Sequence, residues 1–538
     1  MNGFIVGLEK NDLRDIESSL RELQLGSSKD LQAALLLAVG KGDLETVRIL
    51  LQHQRINPNI PNADGKSPLC LAAENGHVQI IELLLQAKGI DPNQPDRVYQ
   101  QSPLSWAVEK GHEAAAQQLL SCEEVNHDSK DIYGQTPVSW AAEKGYHVIL
   151  RKLLLGNAQP DIKDDAGRTP LLWASEKGHH EVVRVLLETK SVNIDSRDDG
   201  GRTPLWWAAR NGHLQVVEHL LNNGANLELK PPYFKDKTDG AEELGTPLYC
   251  SGREGHFEVV RLLLDRGADV NSSPGPRDSA LFQDVMLFSI HTPNILRIIR
   301  LLADRGANLE LQDSLGQTSL HMAVRNNERR MVECLLDWKA KINPTTLAGL
   351  TPLYIAIRDE SRQLTLLLLS RGADVHIADE HGNTPLHIAA TRKSFEIAQL
   401  IAERSGNINI RNHRQETPLH KAVLSHRLRI AKLLIQMGAE VNARDSRGQT
   451  PLHTATGTRY RLMMLLLANG ADINMKDNTG QAVLHHTAVE GTAPEVEYLI
   501  NHGALLDTRD FDGRSPLDMA KKAKNTTVVT FLQKRIST

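Results

Sequence analysis

Apolar positions in this chain recur in a fixed rhythm. A Thr-Pro-Leu phrase or a near variant begins at Ser67, Ser102, Thr136, Thr169, Thr203, Thr246, Thr318, Thr351, Thr384, Thr417, Thr450 and Ser515, with looser forms at Ala33, Ser279 and Ala482. Most starts lie 32 to 35 residues apart; the exceptions are 43 (Thr203 to Thr246) and 39 (Ser279 to Thr318). The unit at Thr203 reads TPLWWAARNGHLQVVEHLLNNGANLEL. Thr203 is placed to cap a helix whose first residue, Pro204, has no N–H to leave unsatisfied. That helix runs through Arg210, and Gly212 supplies the left-handed residue that ends it. Leu214, Val216, Val217, Leu220 and Leu221 then form the apolar stripe of a second helix, closed by Gly224. Two helices this short cannot bury their apolar faces alone, so each unit must stack on its neighbours.

TPL, the inner Ala-Ala, Gly-His, the VV-x-x-LL stripe and the closing GA[DN][VIL] share one register from about Leu31 to Thr538. The pattern resembles the ankyrin repeat, and PLSWA at Pro103 to Ala107 resembles the ankyrin blocks of filamentous-fungal proteins. The resemblance implies an all-α solenoid of about fifteen units. Its first helices and turn fingers would line a concave side and its second helices a convex side.

The units fall into two blocks. Residues 31–271 carry Gly-His or Gly-Tyr between their helices, as at Gly111-His112, Gly145-Tyr146 and Gly178-His179. In residues 318–538 that glycine position holds Asn327, Glu360, Lys393, His426 and Arg459, so the turn is expected to close differently there. Between the blocks, residues 272–317 form an irregular seam with a divergent unit. Extra residues between Lys230 and Leu244 lengthen one finger. A weak interface divides a nearest-neighbour solenoid, so unfolding is expected in two steps separating near Asn271 to Asn294. Residues 1–30 contain Leu13, Ile16, Leu20 and Leu23 at helical spacing, read as a cap on the first repeat, with partner docking as the alternative.

Composition narrows the function. The net charge is −4, but Met1 to Asp278 carries −10 and Ser279 to Thr538 carries +6, an asymmetry able to steer partners. The four cysteines are dispersed, which argues against a zinc site or a disulfide framework and for a reduced compartment, cytoplasmic or nuclear. No apolar run approaches the ~20 residues that span a bilayer. Gly65-Lys66-Ser67 lacks the first glycine of a P-loop, and Asp195 to Gly200 lacks calcium-loop ligands. Most of the clear histidines recur with the repeat, after the TPL leucine or after the turn glycine, as structural residues do. No catalytic constellation, metal site or cofactor is expected.

Candidate binding residues lie on the first helices. Trp106, Trp140, Trp173 and Trp207 hold one position in four successive units, and Trp206 precedes the last. Equivalent positions would stand roughly 10 Å apart. The row either anchors a partner, as interface tryptophans do, or packs between repeats. In the second block Arg325, Arg358, Arg392 and Lys421 suggest a basic groove for an acidic peptide. Direct nucleic-acid binding is disfavoured by the acidic chain and the lack of interleaved aromatics. The leading expectation is a monomeric, non-enzymatic adaptor that binds one or more proteins, with room for one per block. The alternative is a nuclear transcription coregulator, for example of a fungal secondary-metabolite gene cluster.

Overall fold

A computed structural model describes residues 28–232, 245–272, 294–457 and 459–537. The Leu13–Leu23 segment, most of the long finger and most of the divergent unit lie outside the described residues. Those described form two compact units, divided between Ala307 and Asn308. Each is an all-α stack of helix pairs. Among the described residues the first unit holds seven pairs, from Ser28–Lys41 with Leu44–Leu51 to Pro247–Arg253 with Phe257–Asp265, and the further helix Ile295–Asp304. The second holds seven pairs, from Ser319–Arg325 with Arg329–Asp337 to Pro516–Lys522 with Thr526–Ile536.

Each pair follows from its own sequence. Thr136 is extended, its hydroxyl accepts the Ser139 N–H, and Pro137 opens the helix Pro137–Lys144. Gly145 ends that helix in the left-handed conformation. The second helix His147–Leu155 buries Ile149, Leu150 and Leu153. Within each unit first helices pack on first helices and second on second. The core is therefore a series of thin aliphatic layers, in which each fully buried Leu or Val contributes about 1.5–3 kcal/mol.

The Gly-His signature of the first unit is a contact between repeats. The His213 ring lies over Gly178 of the preceding repeat, and its Nε2 bonds the Glu176 carbonyl at 2.9 Å. A Cβ on Gly178 would stand 2.6 Å from His213 Nδ1, and φ there is +82°. His112 sits over Gly76, His179 over Gly145 and His256 over Gly212 in the same way. Gly178→Ala should therefore destabilise the first unit by about 1–3 kcal/mol. His213→Ser should recover part of that loss, a coupling measurable in a urea double-mutant cycle.

The second unit corrects the expectation of a different turn. Asn327, Glu360 and His426 keep the left-handed conformation, with φ of 58°, 57° and 58°. The backbone bonds are also kept: Asn327 N to Val324 O is 3.0 Å, as Gly111 N to Val108 O is in the first unit. No ring covers Glu360, because the register-equivalent of His213 is Ser394, so a side chain fits above the turn. At Lys393 and Arg459 the left-handed residue is absent, as it is at Gly491 in the Ala482 repeat, where φ is −88°.

Candidate functional site

The tryptophan row is tied to the fingers by a carboxylate in each repeat. Asp131, at the base of its finger, accepts the N–H groups of Tyr133 and Gln135, both at 2.9 Å, on Oδ1. Its Oδ2 accepts the Trp140 indole N–H at 3.0 Å. The same bond joins Trp106 to Asp96 (3.1 Å), Trp173 to Asp164 (2.9 Å) and Trp207 to Asp198 (3.1 Å). Each aspartate thus fixes a turn and orients an indole. Burial pushes the Asp131 carboxyl above its ordinary range, against the opposing pull of those three N–H donors.

The five rings are not equally available. Trp206 is fully buried, and its N–H reaches the Gly245 carbonyl of the next repeat at 3.1 Å. Trp106 and Trp207 are also buried, whereas Trp140 and Trp173 keep exposed edges. Polar side chains cover the row. The Lys66 ammonium lies 3.7 Å from the Trp106 ring centre, and the Arg168 guanidinium 4.5 Å from that of Trp173. In several repeats the residue before the helix cap reaches across to a glutamate at the helix end: Lys66 to Glu74 (2.6 Å), Gln135 to Glu143 (3.0 Å) and Arg168 to Glu176 (2.9 Å).

Beyond this layer two of the finger tips are apolar. Val98, Tyr99, Ile132 and Tyr133 are exposed, Tyr133 by 57%. One backbone bond joins the two tips, Ile132 N to Tyr99 O at 2.9 Å. Tyr99 meets Trp106 edge-on, with ring centres 6.2 Å apart, so finger surface and tryptophan row are contiguous. The aspartates and finger tips were missed in the sequence because each looks like an ordinary turn residue. Their fixed spacing ahead of the TPL phrase is the signal that marks them.

In the second unit histidine takes the place of this arrangement. His321 follows the phrase leucine; its Nδ1 accepts the Thr318 N–H at 3.1 Å and its Nε2–H donates to Leu350 O of the next repeat at 2.9 Å. His387, His420, His453 and His485 repeat both bonds. Burial pushes all five imidazoles below their ordinary range, His453 to about 4 with help from neighbouring His486. Trp206 holds this same register position and makes the same bond to the next repeat. His486 holds the position of the other four tryptophans, and like them it bonds the finger aspartate, Asp477, at 2.9 Å.

The expected basic groove separates into different environments. Arg325 is exposed and makes no ion pair or hydrogen bond among the described residues, while Arg358 is held by Asp359 at 2.9 Å. Both line one cavity of about 300 Å³. Arg392 does not line it and is half-buried, with Nε unpartnered. Lys421 is tied to Glu416.

Repeat register, finger turns and inter-repeat bonds define the class, and comparison with known families agrees. A three-copy model described as ankyrin repeats matches residues 17–96, 96–164, 139–231, 286–379, 341–412, 359–445, 406–477 and 456–537, and a single ankyrin-repeat model matches 245–273. The chain belongs to the ankyrin-repeat family, whose repeats are protein-interaction modules. A search of curated proteins found no match. No described helix is long and apolar enough to cross a membrane.

Proposed function

We propose that the chain is a non-enzymatic regulatory adaptor, acting as a monomer in the cytoplasm or nucleus, that holds a partner protein on the first unit. The contact surface is the pair of apolar finger tips, Val98-Tyr99 and Ile132-Tyr133, with the exposed edges of Trp140 and Trp173 beside them. The observation that carries this reading is the placement of four exposed apolar side chains on two bonded fingers, next to an aromatic row already held rigid. Rigid aromatic side chains lose little entropy on binding, which suits them to be interface anchors. Trp206 acts in the fold, and the buried Trp106 and Trp207 close the two ends of the row.

Tyr99→Ala with Tyr133→Ala tests this in the full chain. Both side chains are largely exposed, so the melting temperature should change little beyond the loss of the Tyr99 contact with Trp106. Capture of the partner from native-cell extract should fall at least about tenfold, a loss of about 1.4 kcal/mol or more for the two rings together. Undiminished capture would place the contact elsewhere.

A further inference from the structure

We infer that the second unit carries a separate pocket for a partner peptide in which an acidic side chain stands next to a bulky apolar one. The pocket is the 300 Å³ cavity between the fingers at Leu315 and Leu347 and the first helices Ser319–Arg325 and Pro352–Arg358. Its volume is at the lower end of the range for ligand cavities, about 300–1,000 Å³.

The pocket arises from changes at four register positions. In the repeats of Ser102, Thr136 and Thr169 these hold a tryptophan, the finger aspartate that binds it, a polar residue before the cap and the glutamate at the helix end, which the Thr203 repeat already replaces with Arg210. In the repeat of Thr351 they hold Ile355, Thr346, Leu350 and Arg358. The indole is replaced by a smaller side chain, leaving space. The aspartate is replaced by Thr346, whose hydroxyl still accepts the Leu350 N–H at 3.1 Å and so keeps the turn without a charge. The repeats on either side retain Asp313 and Asp379 at this position. The cover residue becomes apolar, and the glutamate becomes arginine.

The result is a mainly apolar cleft whose lining includes two arginines, Arg325 and Arg358, and no carboxylate. Arg358 is already oriented by Asp359, and Arg325 has no anionic partner among the described residues. Leu347, 77% exposed, and Leu315 extend the apolar wall outward along the fingers. An apolar side chain fills such a cleft, and a neighbouring carboxylate meets Arg325 in a charge-assisted bond. The +6 balance of the second half favours the same ligand. The inference rests on the protein-binding reading but not on the tryptophan row, so Trp140→Ala with Trp173→Ala should leave it untouched.

The test uses the full chain and a fluorescein-labelled twelve-residue peptide with a central Phe between paired Glu residues in Gly-Ser flanks. Matched peptides carry Gln for every Glu or Ala for Phe. The expected result is saturable anisotropy for the Glu–Phe peptide, weakened at least tenfold by either replacement and by Arg325→Gln. Thr346→Asp with Ile355→Trp restores the first-unit arrangement, fills the cleft and should abolish binding while the circular dichroism and melting temperature are retained. No binding at millimolar peptide, or binding indifferent to these variants, would overturn the proposal. So would a labelled oligothymidylate that binds where the peptide does not. Failure of the finger-tip test with success here would sink the first-unit site alone.

Discussion

Trp206→Ala is expected to destabilise the first unit by about 3–5 kcal/mol, the range for deleting a buried tryptophan. The ring is fully buried, meets Trp207 edge-on at 5.2 Å, and supplies the side-chain N–H that links its repeat to Gly245 of the next. Removing it opens a cavity and leaves that carbonyl short of a donor. Trp206→His should cost less, because the second unit uses histidine here to make the same bond. Its Nδ1 would accept the Thr203 N–H and its Nε2–H would reach for Gly245. Urea denaturation followed in the first unit by hydrogen exchange measures both variants. A loss below about 1 kcal/mol for Ala, or His no better than Ala, would contradict the assigned role.

The second large effect is acid sensitivity confined to the second unit. In His321, His387, His420, His453 and His485 the Nδ1 atom accepts a backbone N–H, so a proton there would face a donor instead of an acceptor. Buried and held neutral, these groups have folded pKa values below the unfolded value of about 6.5. Below that value the unfolded chain binds more protons than the native one, so stability present above about pH 6.5 falls as pH drops. With His453 at about 4, its share alone is roughly 3 kcal/mol by pH 4. Asp477, held near 2 by N–H and hydroxyl donors and His486 against the opposing effect of burial, keeps its charge through this window. Among the described histidines of the first unit only His179 is lowered likewise, and burial shifts the carboxyls of Asp131 and Asp161 the other way. Hydrogen exchange at about pH 7.5 and pH 5, corrected for intrinsic rates, should show protection lost across residues 318–515 and largely kept across 67–260. Equal loss in both would contradict the histidine assignment.

The repeat and its helices were legible because their determinants are local. Thr136 caps, Pro137 starts and Gly145 stops a helix within ten residues of chain. What escaped reading lies between repeats. That Gly178 is bare because His213 needs the space involves positions 35 apart, and only Gly-His within one repeat is visible locally. The turn at Glu360 shows the converse: without a ring above it, a non-glycine residue takes the left-handed conformation. Asn409 likewise looks like a turn residue, yet it bonds Gly438 O and Glu440 N of the next repeat. The tryptophan row was found, but its partition into buried and edge-exposed rings depends on which aspartate or carbonyl each indole reaches. The pocket at Arg325 is legible only when Thr346 and Ile355 are compared with Asp131 and Trp140 in register.

The most direct test of the binding surface is site-specific photo-crosslinking. A photoreactive amino acid replaces either Tyr133 on the finger or Leu155, 84% exposed at the end of a second helix. In native-cell extract the substitution at 133 should give one dominant protein adduct, lost on Tyr99→Ala, and the substitution at 155 should not give it. The same adduct from both positions, or only from 155, would contradict binding through the fingers of the first unit.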